Sequence, residues 1–492
     1  MSEQQSSYRQ IMKATSLFGG VQVFQILIQI IRSKFVAVLL GPAGMGIVGL
    51  LTSTIGLIGG LTNFGLGTSA VKNIAEAVGK EDNNRIATAI IVLRRLVWIT
   101  GTLGMVITLL LSPWLSQLTF GNKNYTLAFV WISVTLLFNQ LSSGQMVLLQ
   151  GMRKLQYLAK ANLFGSGLGL LITIPLYYKW GVDAIVPVMI TTSVISLSLS
   201  WFFSSKIKIQ PIKVSKLKTV AEGKDMLKMG FMISLSGLIA TGASYLIRIF
   251  ISRQGGVADV GLYSAGFTII GTYVGLIFAA MGTDYYPRLS SVAYDNKLSK
   301  QTINQQAEIA LLILGPILIL FLVFINWIVV ILYSNKFLAI NSMIYWAALG
   351  MFFKAASWSI GFVFLAKGAS KVFFWSELIS NIYTLLFNII GYYYFGLTGL
   401  GLSFLLGYFI LLIQVFFIAK IKYEFGFDKE FQKIFILQFS LALFSFLAVK
   451  FLKQPYPYVI GVVLIVLSAF YSLKELDKRM DLVGIIHHFT KK

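Results

Sequence analysis

Cysteine is absent from the 492-residue sequence, and its two histidines, His487 and His488, both lie near the C-terminus. The absence of cysteine excludes disulfide bonds, thiolate nucleophiles and cysteine-ligated metal sites. Because neither histidine lies in an apolar segment, a histidine metal cluster or a Ser-His triad inside a membrane is excluded as well. Acidic residues are also scarce, with 18 aspartates and glutamates against 41 lysines and arginines.

Apolar residues dominate the sequence instead. They make up 57% of the chain, charged residues make up 12%, and the mean hydropathy is +0.79. A soluble protein of this size cannot bury so much apolar surface, whereas runs of about 20 apolar residues suit helices that cross a bilayer. The composition therefore predicts an all-α polytopic membrane protein.

Fourteen apolar runs predict fourteen membrane spans. The predicted spans cover residues 15–40, 45–68, 90–112, 125–149, 157–179, 183–204, 230–252, 260–284, 309–333, 340–366, 372–394, 397–419, 433–452 and 456–473. The connections between them are too short to form a soluble catalytic domain. We therefore predict a protein that is not an enzyme.

The net charge of +23 is explained by membrane topology rather than by nucleic-acid binding. Lysines and arginines accumulate in the cytoplasmic connections of membrane proteins. The longest connection is rich in lysine: Lys206, Lys208, Lys213, Lys216, Lys218, Lys224 and Lys228. An even number of spans places both termini on that same side, so we predict that both termini are cytoplasmic.

A glycine pattern recurs in the chain at an offset of 215 residues. The matched glycines include Gly41 with Gly256, Gly46 with Gly261, Gly56 with Gly271, and Gly60 with Gly275. Such a match without gaps indicates an internal duplication. Six predicted spans separate the two copies, so both copies run the same way through the membrane. The halves are predicted to be parallel repeats related by an axis along the membrane normal.

The duplication and the lysine-rich connection divide the chain into predicted domains. These are an N-terminal six-helix lobe (1–204), a cytoplasmic linker (205–228), a C-terminal six-helix lobe (229–420), and two extra helices with a tail (421–492). The two extra C-terminal helices have no counterpart in the repeat.

Four of the matched glycines lie well inside predicted spans and are candidates for a hinge. Gly56 and Gly60 belong to the second span, and Gly271 and Gly275 belong to the eighth. Small residues let helices pack closely in lipid, and glycine also lets a helix bend. Both readings stay open: these glycines serve packing, or they form a hinge on which the two halves rock. The pairs Gly41-Pro42 and Gly255-Gly256 are predicted to form tight turns.

Basic residues at membrane depth are the strongest functional signal. Each costs free energy unless it faces water or a partner. The residues are Arg32, Lys34, Arg248 and Lys354. Only two carboxylates lie at similar depth, Asp284 and Glu377, and Asp284 is expected to pair locally with Arg288. The surplus of positive charge suits an anionic substrate such as a pyrophosphate head group.

Glu377 and Asn381 are four residues apart and lie on one face of a helix. A carboxylate and a carboxamide at this spacing suit a Na⁺ site or a proton relay. The alternative is that Glu377 forms an ion pair with Lys354 or with Lys371. The sequence alone leaves both open.

Several of these segments resemble the Wzx-type flippases, the O-antigen and lipid III translocases of the multidrug/oligosaccharidyl-lipid/polysaccharide exporter superfamily. The resemblance is carried by LLGPAGMGIVG after the helix with Lys34, and by YYPRLS (285–290), LYSNKF (332–337) and FLAKGASKVFFWSELIS (364–380). It implies two six-helix lobes around a central cationic cavity in the bacterial inner membrane. It also implies flipping of undecaprenyl-pyrophosphate-linked oligosaccharide by alternating access.

The resemblance assigns roles by position. Lys34, Arg248 and Lys354 match basic positions of the family, and Arg32 resembles an arginine of lipid II flippases. Glu377 and Asn381 fall where relatives hold a coupling cation, Na⁺ or H⁺. The seventh span lacks the acidic residue of some lipid II flippases, which weakens the case for sodium. No other cofactor is expected.

Four other functions compete with this one, and the first, a scaffold for glycan assembly without transport, is disfavoured by the buried charges. A multidrug exporter of organic cations should have more carboxylates in its cavity, and a lipid II-type flippase would carry a related cargo. A polysaccharide ligase or polymerase would need a large outward loop, which this chain lacks. Expected partners are the lipid-linked oligosaccharide, membrane lipids, a polysaccharide polymerase and a chain-length regulator, with no nucleic acid.

Overall fold

The computed structural model describes residues 3–210 and 212–480, with side chains except for 3–23, 232, 233, 236, 283 and 480. The tail with His487 and His488 therefore lies outside the described residues. Within them the chain forms fifteen α-helices: α1 (Glu3–Thr62), α2 (Leu66–Gly79), α3 (Asn83–Leu110), α4 (Ser112–Phe120), α5 (Thr126–Gly151), α6 (Leu155–Trp180), α7 (Ile185–Ser205), α8 (Lys216–Gln254), α9 (Val257–Phe267), α10 (Leu276–Ser291), α11 (Asn296–Leu332), α12 (Asn341–Ala366), α13 (Ser370–Tyr423), α14 (Lys429–Phe451) and α15 (Tyr456–Met480).

The helices confirm an all-α polytopic membrane protein. Ten helical stretches of the described chain are long and apolar enough to cross a bilayer, and no strand forms in residues 3–210 or 212–480. Three of these stretches are interrupted, at Gly41, at the 3-10 helix Gly181–Ala184, and at Gly396. The interruptions fall where the sequence predicts turns between spans. The count of fourteen spans itself stays a prediction.

Glycines in the left-handed region make the turns. Gly41 has φ +67° and is followed by Pro42, which suits the first turn of the next helical segment. Gly256 has φ +85° between α8 and α9. Both glycines lie in the tight turns predicted from the sequence, and they are equivalent positions of the repeat.

The same offset of 215 residues links two further pairs of positive-φ positions. Gly181 and Gly396 have φ of +54° and +56°, with ψ of −128° and −138°. Arg153 and Gly368 have φ of +54° and +67°, and each follows the end of a long helix. Backbone geometry thus repeats well beyond the segment that carries the glycine pattern.

The chain divides into two compact units, Met1–Gly261 and Leu262–Lys492. Helix α8 belongs to the first unit because it packs against α1, α2, α3 and α4. The six-helix lobes with boundaries at 204 and 229 stay a prediction.

The lysine-rich connection is short and anchored in the first unit. Its non-helical part lies between the end of α7 at Ser205 and the start of α8 at Lys216, and the later lysines lie in the first turns of α8. The guanidinium of Arg95 donates to the carbonyl of Val214 at 3.0 Å and to the hydroxyl of Thr219 at 2.5 Å. The buried side chains of Val214 and Met226 join the apolar core beside α2 and α3.

Helix α11 is the centre of the second unit, and the two C-terminal helices pack on it. Gln438 of α14 is fully buried; its amide donates to Ser472 of α15 at 2.8 Å and accepts from Ser468 at 2.6 Å. Gly315 of α11 leaves the space that this amide fills. Arg479 of α15 pairs with Glu308 of α11 at 2.9 Å. Buried polar contacts of this kind hold α14 and α15 in one position.

Candidate functional site

Three of the predicted substrate-binding residues belong to the first unit. Arg32 and Lys34 lie on α1 before its bend, and Arg248 lies on α8. The second half of α1 packs against α8, where a Cβ on Gly60 would lie 2.8 Å from Leu238. Arg32 is exposed, while Lys34 and Arg248 are half-buried. Neighbouring helices of one unit therefore carry all three cations.

Arg248 turns back along its own helix. Its Nη1 donates to the carbonyl of Ser244 at 3.2 Å, and it also bonds to the Ser244 hydroxyl. Ser244 lies one turn earlier on α8, so the serine holds the guanidinium against the helix. This contact is polar and carries no charge of its own.

Lys354 lies in the second unit, in the middle of α12, within a cage of aromatic rings. Its Nζ lies 5.5 Å from the ring centre of Phe278, 5.9 Å from that of Phe404 and 5.3 Å from that of Tyr408. Cation–π contacts reach about 2 kcal/mol when desolvated. Among residues 3–210 and 212–480, no carboxylate lies within salt-bridge distance of this ammonium group. The rings stabilise the charge without neutralising it.

The cage is the part of the site that sequence reasoning missed. Phe278 is on α10, whereas Phe404 and Tyr408 are on α13, so no local pattern connects them with Lys354. Aromatic residues make up 14% of the chain, and this background hides three particular rings.

Glu377 and Asn381 share a face of α13, as predicted, but they do not bond through their side chains. The Asn381 amide donates to the backbone carbonyl of Glu377 at 2.8 Å, and Ser380 donates to the same oxygen at 2.9 Å. In the described chain no salt bridge joins Glu377 to Lys354 or to Lys371. The carboxylate is therefore not engaged by either lysine.

A polar stripe continues from Glu377 along α13. Glu377, Asn381, Thr384 and Asn388 follow helical spacing on one face. Asn388 is 3% exposed, and its side-chain oxygen lacks a hydrogen bond in the described structure. The spacing is visible in the sequence, and reading it past Asn381 would have found the stripe.

Tyr383 connects this stripe with the cage around Lys354. Its buried hydroxyl has no hydrogen-bond partner among the described residues. It interacts electrostatically with Glu377 and with Tyr408. Tyr408 is also one of the rings around Lys354, so the same tyrosine interacts with Tyr383 and with that lysine.

The predicted hinge glycines differ in their surroundings. A Cβ on Gly56 or on Gly271 would meet no atom within 4 Å, so close packing does not require glycine there. A Cβ on Gly60 would press on Leu238, and one on Gly275 would overlap the carbonyl of Gly271. Gly271 lies in a π-helix, Thr268–Val274. The hinge role stays a prediction; Gly60 is the one of these four whose Cβ would meet another helix, and it would meet only the flexible end of Leu238.

Gly46 and Gly261 lie at a reciprocal contact inside the first unit. A Cβ on Gly46 would overlap the carbonyl of Val257, and a Cβ on Gly261 would overlap the carbonyl of Pro42. Val257 is the repeat equivalent of Pro42, just as Gly261 is that of Gly46. The two copies therefore touch backbone to backbone through matching positions.

Asp284 forms the local pair expected of it. Its carboxylate lies 3.8 Å from Nε of Arg288, and both side chains are exposed. Arg288 also donates to the Gln306 side chain at 2.7 Å. Asp284 therefore does not neutralise the cations at membrane depth.

Two solved structures share this fold. An inward-facing multidrug resistance MATE family transporter of the MOP superfamily has a TM-score of 0.70 and 17% identity, covering 81% of this chain and 94% of its own. The lipid II flippase MurJ, in an inward closed conformation, has a TM-score of 0.69 and 14% identity, covering 96% and 100%. These similarities establish the fold.

Sequence comparison identifies the family. The lipid III flippase of Escherichia coli (strain K12) is 20% identical over 353 residues, which is 70% of this chain and 82% of that protein. Residues 35–342 match the family described as "Polysaccharide biosynthesis protein". That match covers more than half of the chain, including Arg248 and the reciprocal glycine contact, and the chain therefore belongs to the polysaccharide biosynthesis protein family.

Proposed function

We propose that the protein is a flippase of the bacterial inner membrane that moves an undecaprenyl-pyrophosphate-linked oligosaccharide between leaflets. The observation that carries this proposal is Lys354, a cation in the middle of an apolar helix that is caged by rings and paired with no carboxylate in the described chain. An ammonium group held in this way keeps its donors available to an anionic head group. The family and the lipid III flippase relative support this cargo.

The head group passes through the protein while the lipid tail stays in the bilayer. The cations predicted at membrane depth, Arg32, Lys34, Arg248 and Lys354, bind the pyrophosphate by charge-assisted hydrogen bonds. Both termini are cytoplasmic, and the cavity opens to each side in turn. No covalent step is required, so the membrane-spanning helices alone suffice.

Glu377 and Asn381 couple this movement to an ion, Na⁺ or H⁺. Their nearness to the Lys354 cage through Tyr383 and Tyr408 supports the assignment. Exchange of an ion at Glu377 changes the field at Lys354, and hence its hold on an anion. Glu377→Gln should make transport insensitive to an imposed pH or Na⁺ gradient, which a gradient-jump assay measures.

The decisive experiment is flipping in proteoliposomes. A fluorescent undecaprenyl-pyrophosphate oligosaccharide is compared with an organic-cation dye, because the MATE fold also suits a multidrug exporter. We expect the wild-type protein to flip the lipid and not the dye. Transport of the dye alone would overturn the flippase proposal.

Lys354→Gln should lower the initial flipping rate at least about tenfold, since each 1.4 kcal/mol of lost binding is tenfold and a hydrogen bond to a charged group is worth more. Lys354→Arg should retain part of the rate. Lys336→Gln is the matched control, because Lys336 is exposed in the 3-10 helix Asn335–Ile340. A wild-type rate in Lys354→Gln would remove Lys354 from the site.

A further inference from the structure

A groove of about 420 Å³ lies between the two halves of α13. The halves are joined at Gly396, where φ of +56° breaks the helix and lets the chain return. Lys371, in the first turn of α13, and Lys422, in its last turn, both line this groove. One end of the groove therefore carries two lysines.

The two walls of the groove carry similar types of side chain in the same order. One wall reads Lys371, Trp375 and Ile379, and the facing wall reads Lys422, Ile418 and Gln414. The positions on each wall are four residues apart, so each wall is one stripe of a helix, roughly 12 Å long at 1.5 Å per residue. Both stripes begin with a cation and continue with a large apolar side chain.

The apolar part of the groove faces outward. Trp375 is 58% exposed and Ile379 is 49% exposed, although both lie within a stretch that is apolar enough to cross the membrane. In a bilayer these surfaces contact acyl chains, because lipid is the solvent at that depth. A groove of this shape therefore accepts a hydrocarbon chain along its length.

The other polar side chains of the groove, Gln414 and Ser376, bond to each other. The Gln414 side-chain amide donates to the Ser376 hydroxyl at 2.8 Å and to the Ser376 carbonyl at 3.1 Å. Lys371 and Lys422, in contrast, are exposed, and no carboxylate of the described chain lies within 4.0 Å of either. The ammonium groups are the donors that a ligand entering the groove meets.

We propose that this groove is a binding site for an anionic phospholipid, with the phosphate between Lys371 and Lys422 and an acyl chain along Trp375, Ile379 and Ile418. Two cations at the membrane surface attract a head group with net negative charge, as basic pockets between spans do. A zwitterionic head group brings its own ammonium to the same place and is disfavoured. This site does not depend on the proposed flippase activity.

Brominated lipids test the site directly. Brominated phosphatidylglycerol should quench the fluorescence of the full-length protein in nanodiscs more than brominated phosphatidylcholine does. The chain has nine tryptophans, so the quenching that is lost in Trp375→Phe identifies the part of the signal that comes from this groove. Equal quenching of Trp375 by both lipids would overturn the proposal.

The lysines are tested by a charge-matched pair of variants. Lys371→Gln with Lys422→Gln should weaken phosphatidylglycerol binding about tenfold or more, as measured by native mass spectrometry and by quenching. Lys297→Gln with Lys420→Gln is the control. These two substitutions remove the same charge, and both lysines are exposed and lie outside the groove. Wild-type binding in the first variant would overturn the proposal.

A third arm identifies the source of the phosphate. Undecaprenyl-pyrophosphate oligosaccharide is titrated into the protein with brominated phosphatidylglycerol bound. We expect that the brominated phosphatidylglycerol is not displaced from Trp375, because the groove binds membrane phospholipid and not the transported lipid. Displacement would assign the groove to the transported lipid and overturn the phospholipid site. If the protein binds phosphatidylglycerol but flips no lipid, the phospholipid site stands and the flippase proposal is overturned.

Discussion

The two copies of the repeated segment share their glycines but differ in helix geometry at the centre. In the first copy the helix is regular α from Pro42 to Thr62, whereas the second copy contains the π-helix Thr268–Val274. Gly56 and its equivalent Gly271 lie at this point, and neither has a neighbour that a Cβ would touch. Glycine permits a wider turn in both copies, and only the second copy adopts one.

The turns at the ends of these segments do not differ in the same way. Gly41 and Gly256 both have positive φ, as do Gly181 and Gly396 further along. A left-handed residue at a helix break is dictated by local sterics, which favour glycine. The two copies therefore keep the same backbone geometry in their turns, while the geometry of their helix interiors differs with the local packing.

The strongest test of this comparison is the reciprocal contact, where the two copies should behave alike. Gly46→Ala and Gly261→Ala each place a methyl group on a backbone carbonyl, which has no side chain to rotate away. Each should lower the free energy of unfolding by about 1–3 kcal/mol, the usual cost of overpacking. Thermal unfolding midpoints in one detergent measure both variants. Gly67→Ala, in open space, is the control. Unequal effects of the two variants would break the equivalence of the copies.

Gly275 and Gly60 should differ, because the π-helix changes what surrounds them. Gly275→Ala meets the backbone of Gly271, whereas Gly60→Ala meets the flexible end of Leu238 at 2.8 Å. We expect Gly275→Ala to destabilise by about 1–3 kcal/mol. Gly60→Ala should be close to neutral, since alanine gains up to about 1 kcal/mol of helix propensity. The reverse order of unfolding midpoints would show that the π-helix does not require Gly275.

Arg153 and Gly368 are equivalent positions with positive φ, one occupied by a residue with a side chain and the other by glycine. Arg153 has φ of +54°, where a side chain costs roughly 1–2 kcal/mol, and its equivalent Gly368 pays nothing. Arg153→Gly should stabilise the protein by about 1 kcal/mol, and Gly368→Ala should destabilise it by a similar amount. Chemical unfolding of the two variants and their combination measures both effects. Lys154→Gly, at a neighbouring exposed residue with negative φ, is the control and should not stabilise.

The smallest change in stability, and the most direct test of a hinge, comes from Gly56 and Gly271. Alanine fits at both positions and should raise helix stability by up to about 1 kcal/mol. If the π-helix is the moving part, Gly271→Ala should also slow flipping several-fold, while Gly56→Ala should not. Unfolding midpoints and initial rates in proteoliposomes separate the two effects. Equal flipping rates in the two variants would show that these glycines have a structural role and do not form a hinge.

The sequence predicted features that follow from one residue or from short spacing. The turns at Gly41 and Gly256, the pair Asp284–Arg288 and the all-helical fold were all anticipated, because each depends on local sterics, local charge or hydropathy. The cage around Lys354 was not, since its three rings come from two other helices and stand among many similar residues. The hydrogen bond of Asn381 to a backbone carbonyl was missed because spacing places side chains on a face without saying which atoms they reach.

The contact between Gly46 and Gly261 has the symmetry of a dimer interface. Gly46 lies against Val257 while Gly261 lies against Pro42, so each side of the contact presents the same pair of positions to the other. This is the isologous arrangement of a two-fold homodimer, in which residue i meets j and j meets i. A half-length chain that contained this segment would carry a self-complementary surface. Gene fusion of that dimer would preserve the contact, and afterwards each glycine would be held in place by a residue of the other half.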